Sequence, residues 1–185
     1  MTEQKNKDYV DGPLSIGQQS LWLIHSCAND KSIYNSHFVW RLPTETNIPI
    51  LKAALQFLVD RHPILRTIFK TTPEGVVQRV FKKSALRFNE SSVGTMGTDD
   101  FSSSVLDQEF KKPFDLENET AMRWSLITKP NQERVLCVVF HHIVGDMGSF
   151  MIFVNELRDI YKKIKHNEPV SLPKTNHTFF DFITK

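Results

Sequence analysis

Cysteine is scarce in this chain: Cys27 and Cys137 are the only two in 185 residues. Two such residues make neither a disulfide framework nor a zinc-ligand spacing, which fits a reducing, cytoplasmic setting. Cys137 lies inside the apolar run RVLCVVF and reads as a small core residue. An excess of one charge sign is also missing. The formal net charge is +2, too small to argue for a nucleic-acid partner. The pairs Lys82-Lys83 and Lys162-Lys163 read as solvated loops and helix ends rather than phosphate-binding patches. No apolar run is long enough to span a bilayer, and the opening MTEQKNKDYVDG lacks the apolar core of a signal peptide. Neither a membrane nor a nucleic acid is therefore an expected partner. No internal repeat is visible.

What is present is a globular composition, 40% hydrophobic and 24% charged, long enough for one domain with a real core. Residues 1–12 read as a disordered lead. In PLSIGQQSLWLIHSCA, Leu14, Leu21, Trp22 and Ile24 recur at near-helical spacing behind Ser15, a candidate N-cap. YNSHFVWRL reads as a strand. NIPILKAALQFLVDRH reads as an amphipathic helix, with Asn47 as cap, Pro49 in the first turn, and Leu51, Ala54, Leu55 and Leu58 on one face. Pro63 stops it. ILRTIFK and GVVQRVF are two strands around the turn TTPEG. SSVGTMGT reads as a flexible loop and DDFSSSVLDQEF as a helix ending before Pro113. AMRWSLITK and ERVLCVVFHH form the expected hairpin about PNQ. MGSFMIFVNELRDIYKKIK carries the clearest helical repeat: Phe150, Val154, Leu157, Tyr161 and Ile164. A linker, NEPVSLPKTN, precedes a short final helix. The mixture predicts an α/β sandwich with partly antiparallel pairing.

The stretch VVFHHIVGDMGSF, from Val138 to Phe150, holds the chemistry-bearing residues. Side chains alternate along a strand, so Leu136, Val138, Phe140 and His142 share one face, and Val135, Cys137, Val139 and His141 the other. Both faces are apolar, as in a strand covered on both sides. If the strand continues, the histidines point oppositely: one is available for chemistry and one for an internal hydrogen bond. Two other readings stand beside catalysis. Asp146 can simply cap the helix beginning near Met147, with Gly145 letting the chain turn. His141, His142 and Asp146 can be set against a facial metal triad, but opposite strand faces and the lack of a further ligand cluster oppose a metal.

Several segments, in order, resemble the N-terminal half of a condensation domain of nonribosomal peptide synthetases, within the chloramphenicol-acetyltransferase-like superfamily. PLSIGQQSLWLI resembles the opening P-L-S-x-x-Q-x-x-L-W-x-L, and YNSHFVWRL the first strand, Y-N-x-x-x-x-x-R-L. RHPILRTIF resembles R-H-x-x-L-R-T-x-F. PFDLENETAMRWSLI resembles the F-D-L segment, with Arg123 as its arginine. FHHIVGDMGS resembles the active-site H-H-x-x-x-D-G, and SLPKTNHTFFDF the segment that closes the N-terminal lobe. The resemblance runs from about residue 13 to residue 182, nearly the whole chain.

The resemblance implies a chloramphenicol-acetyltransferase-like α/β lobe: a mixed, largely antiparallel sheet flanked by helices over residues 13–185, with the C-terminal lobe absent. It implies amide formation between a carrier-bound acyl or peptidyl thioester and a carrier-bound amine. No cofactor is expected to be bound directly; the phosphopantetheine arm is delivered by partner carrier proteins. The implied partners are donor and acceptor carriers, the C-terminal lobe and adjacent synthetase domains. His142 is the implied catalytic histidine and His141 a structural neighbour. Asp146 is expected to hold the loop through Arg66, or else Arg61, because a buried carboxylate needs such a partner. Gly145, Met147 and Gly148 are expected beside the substrate channel. Met147 stands where the family usually has glycine, which raises the question of a narrowed site. The paired histidines oppose a heterocyclization branch, which has aspartate in their place, and are shared with an epimerization branch. The alternatives are an ester-forming acyltransferase and a non-catalytic scaffold that binds carrier proteins.

Overall fold

The computed structural model describes residues 7–92, 100–129, 131–173, 181 and 183. Two sheets organise it. Strands β1 (Tyr9–Gly12), β4 (Gly75–Phe81) and β3 (Thr67–Thr72) form a three-stranded antiparallel sheet in the order β1-β4-β3. Strands β2 (Asn35–Leu42), β7 (Arg134–His141), β6 (Met122–Thr128) and β5 (Phe88–Ser92) form a second, in the order β2-β7-β6-β5. Its pairings are antiparallel except for β5 with β6. The largely antiparallel α/β architecture matches expectation, divided between two sheets rather than one.

Among the described residues the helices that join these strands are α1 (Ile16–Cys27), α2 (Ile48–Arg61), α3 (Asp100–Lys111) and α4 (Met147–Lys165). Their starts follow from local chemistry. The Ser15 hydroxyl accepts from Gln18 N while the Gln18 amide oxygen accepts from Ser15 N, a reciprocal capping box. Asn47 caps α2 through Ile50 N, and Leu51, Ala54, Leu55 and Leu58 turn inward. The 129–133 connection closes the expected β6–β7 hairpin, with Lys129 N donating to Glu133 O. At the start of β4, Gly75 has φ +124°, a backbone state that side-chain-bearing residues rarely adopt.

Some expectations need correction. Residues 9–12 of the supposed disordered lead are strand β1. It is held by backbone pairing, by the Arg79–Asp11 ion pair and by Arg79 stacked on Tyr9. Residues 1–6 lie outside the described residues. Ile64–Arg66 are not strand but belong to a 3-10 turn, Pro63–Arg66, and β3 begins only at Thr67. Ser91 and Ser92, assigned to a flexible loop, end the parallel edge strand β5. The remainder of that loop, and the final helix but for residues 181 and 183, lie outside the described residues.

Strand β7 is the centre of the molecule. Val135 through His141 are all buried. Register assigns its two faces to different helices. Phe38, Trp40 and Phe140 share one face, and Phe150 at the start of α4 stacks on them, 3.7 Å from Phe38 with planes within 6°. Cys137, Val139 and His141 share the opposite face with Arg123 and Ser125, which contact Glu109 of α3. Helices on both faces explain why every position of the strand is apolar or satisfied internally. Helix α2 packs on α4 behind the first face. In α4 the deepest side chains are Phe150, Phe153 and Ile160, so the buried stripe is turned slightly from the expected one.

Candidate active site

The ladder ends at the histidine pair. His141 is the last residue of β7, opposite Asn35, and its N–H donates to Ala121 O. His142 N donates to Tyr34 O, and the chain then coils through one 3-10 turn, His142–Val144. The two imidazoles have opposite surroundings. His141 is 1% exposed, whereas His142 is exposed to solvent.

His141 is built to stay neutral. Its Nδ1 accepts from Ile143 N at 3.1 Å, which puts the ring proton on Nε2. Burial first, then the nearby His25 and His142, lower its pKa to about 3. His25, on the buried side of α1, lies edge-on to it with ring centroids 5.0 Å apart. Burial likewise lowers the His25 pKa, with Lys31 adding to the effect. Histidine's role as hydrogen-bond acceptor here is architectural.

After the 3-10 turn, Gly145 brings the backbone against the first turn of α4. Its φ of 167° is ordinary extended backbone. The constraint is steric: a Cβ there would sit 3.1 Å from the Ser149 Cβ. Asp146 then caps α4, its Oδ1 accepting from both Ser149 N and Ser149 Oγ at 2.8 Å. These bonds, the backbone one first, hold its carboxyl below the usual range. Asp146 is exposed, so the argument that a buried carboxylate needs an arginine does not apply to it.

Both arginines proposed as partners of Asp146 are engaged elsewhere. Arg66 donates through Nη1 to Phe81 O, tying the 3-10 turn to β4, and burial lowers its pKa. Arg61 Nε lies 3.1 Å from both carboxylate oxygens of Glu156, and its Nη2 donates to Pro173 O. His62 Nε2 contacts the same carboxylate at 2.6 Å. Burial resists ionisation of Glu156, but Arg61 and His62 hold its pKa below the usual range. This cluster fastens α2 to α4 rather than the histidine loop to an arginine.

A cleft of about 400 Å³ opens between these elements. It is lined by Gln18, Arg61, His62, Thr67, Gln78, His142, Gly145 and Asp146, among others. His142, Arg61, Gly145 and Asp146 are thus brought together from the sequence-predicted set, while His141 and Arg66 lie behind. Met147 and Gly148 are not among the residues lining this cleft, and Met147 is 59% exposed. Among the described residues no group of three or more His, Cys, Asp or Glu side chains is arranged to hold a metal. Cys137 is a poor nucleophile: burial, with Glu109 adding, pushes its thiol up to about 12.

In the sequence Gln18 has no role beyond matching the opening P-L-S-x-x-Q pattern, and His25 is not singled out. The available signal was periodicity: Leu14, Gln18, Leu21 and His25 follow one helical stripe. Two polar residues on an otherwise inward stripe require internal partners.

Comparison with known proteins gives a consistent result. A family model described as Condensation domain matches residues 10–185. Tyrocidine synthase 2 of Brevibacillus parabrevis is 31% identical over 150 residues, which cover 81% of this chain and 4% of that protein. The hybrid PKS-NRPS synthetase pvhA of Talaromyces variabilis is 33% identical over 154 residues, covering 80% of this chain and 4% of that one. Among solved structures, the starter condensation domain of rhizomide synthetase RzmA superposes with a TM-score of 0.83 at 15% identity, covering 95% of this chain and 42% of that one. At that identity the likeness concerns the fold. The chain spans a few per cent of these curated relatives and less than half of the solved domain. Among the described residues no helix is long and apolar enough to cross a membrane.

Proposed function

We propose that this chain, which belongs to the condensation-domain family, is an N-terminal lobe that works in amide formation between carrier-bound substrates. An acyl or peptidyl thioester and an amine, each on a phosphopantetheine arm, meet beside His142. The amine nitrogen attacks the thioester carbonyl, the C–S bond breaks, and the amine's proton is shed as the arm leaves as a thiol. His142 accepts that proton or orients the amine by hydrogen bonding. An imidazole suits either task because its ordinary pKa, about 6.5, lies near working pH. Holding two tethered reactants together supplies a large part of the rate. The carriers bring the phosphopantetheine; the C-terminal lobe and neighbouring synthetase domains complete the assembly.

The observation that carries this reading is the contrast within the histidine pair. His142 stands exposed on the cleft wall, while His141 is neutral and used up by an internal bond. Exposed apolar side chains near this mouth, including Ile16 at 84% and Ile152 at 56%, support a face completed by another lobe. On this reading the second lobe closes the site, and the 185-residue chain alone is expected to turn over little or nothing. The Gly-to-Met departure at Met147 favours a second reading, a carrier-binding scaffold without catalysis. Amide formation from loaded donor and acceptor carriers separates the two, run on the two-lobe domain and on His142→Ala. The proposal expects turnover that collapses in the variant. Equal turnover by both removes His142 from the chemistry, and no turnover by either favours the scaffold.

A further inference from the structure

Helix α1 packs Leu21 and Trp22 against the core, yet its most deeply buried side chains are polar. Its buried side chains are Gln18 and His25, 3% and 6% exposed, while Ile16 and Leu23 face solvent. Burying an amide and an imidazole is unfavourable unless each has something to hold. Gln18 holds the histidine loop by a hydrogen bond, whereas His25 hydrogen-bonds to the Phe114 backbone and meets the loop only through ring contact. Gln18 Nε2 donates to Ile143 O at 3.3 Å, across 125 residues of chain. His25 presents its edge to the His141 ring, which Tyr34 also approaches, at 6.2 Å.

The consequence falls on the residue between. His142 N is tied to Tyr34 O, the following N–H is tied to His141 Nδ1, and the carbonyl after that is tied to Gln18. The peptides flanking His142 are therefore fixed, and its imidazole keeps only its own two side-chain torsions. Gln18 is itself fixed, because its Oε1 accepts from Ser15 N in the capping box. Aiming of a reacting group is sensitive to shifts of this kind.

We infer that α1 positions the candidate catalytic loop, with Gln18 as the principal positioning residue through the Ile143 carbonyl and His25 as its support through His141. This rests on the reading of His142 as the chemical histidine. Gln18→Met keeps the volume and removes the donor. It lowers kcat for amide formation at least tenfold in the two-lobe domain, with KM within twofold. It also shifts the His142 imidazole resonances in the 185-residue chain. Asn47→Ala, which weakens the cap of α2 far from the loop, serves as the control for lost stability: Tm falls while kcat and those resonances stay. Should Gln18→Met not fold, Gln18→Glu keeps an acceptor for Ser15 N and loses the donor to Ile143, and the same kcat loss is expected. Unchanged kcat and unmoved His142 resonances in either folded Gln18 variant, with His142→Ala inactive, overturn the inference. So does an Asn47→Ala protein that loses kcat as much as Gln18→Met does. Full turnover by His142→Ala instead overturns the parent reading.

Discussion

His141 and His142 are adjacent in the chain and belong to different regions of the molecule. His141 closes the central strand, among Val139, His25 and Tyr34, out of water and neutral. His142 is exposed; Ile143 and Val144 dip back into the core, residues 146–148 face solvent, and the chain rejoins the core at Phe150. What separates the regions is where the sheet stops: β7 ends after His141, and one 3-10 turn directs the next side chain outward. The contrast teaches that identical side chains acquire different chemistry from hydrogen bonding and desolvation, not from their identity.

That contrast can be broken from the buried side first. Phe150→Ala removes the ring stacked on Phe38, Trp40 and Phe140. It should cost about 3–5 kcal/mol by urea unfolding, releasing the loop from its core anchor. His141→Ala leaves a cavity and strands the Ile143 N–H, for a loss of about 2–4 kcal/mol by the same measurement. Acid sharpens the comparison without mutation. Folded His141 takes up a proton only near pH 3, whereas an unfolded histidine does so near 6.5. Between those values the unfolded chain binds more protons, so stability is full above about pH 6.5 and falls as pH drops through the window. The fall approaches about 1.4 kcal/mol per pH unit for this histidine, and His25, lowered in the same direction, adds to it. Unfolding free energies at pH 7, 6 and 5 check this.

On the exposed side the effects shrink. Asp146→Ala removes the α4 cap and should cost about 1 kcal/mol. Asp146→Asn, which also caps, should recover most of it; an ion pair to Arg66 would show no such recovery. Met147→Gly should move stability by about 1 kcal/mol or less in thermal unfolding, because the side chain is exposed and buries no core surface.

Legibility in the sequence followed the same division. The helix α4 and the hairpin before it were readable because apolar periodicity and a turn tripeptide are local signals. Opposite orientations for the histidines were expected from strand alternation. The structure achieves them differently, since the strand ends between the two. Strands β1 and β5 were not readable: both are edge strands of polar sequence, defined by distant backbone partners such as Phe81 for Tyr9 and Trp124 for Phe88. An arginine partner for Asp146 presupposes burial, and the structure leaves Asp146 exposed. A cap three residues away, at Ser149, satisfies an exposed carboxylate without any arginine. The roles of Gln18 and His25 are not legible in the sequence because the groups they meet, Ile143 and His141, lie far downstream.

The most direct measurement compares His142→Ala with His141→Ala in the two-lobe domain, recording amide formation and Tm for each. The account predicts that His142→Ala keeps the wild-type Tm within a degree or two and loses turnover by about two orders of magnitude or more. It predicts that His141→Ala loses Tm first. Wild-type turnover by a folded His142→Ala protein, or the same loss of Tm in both variants, would contradict it.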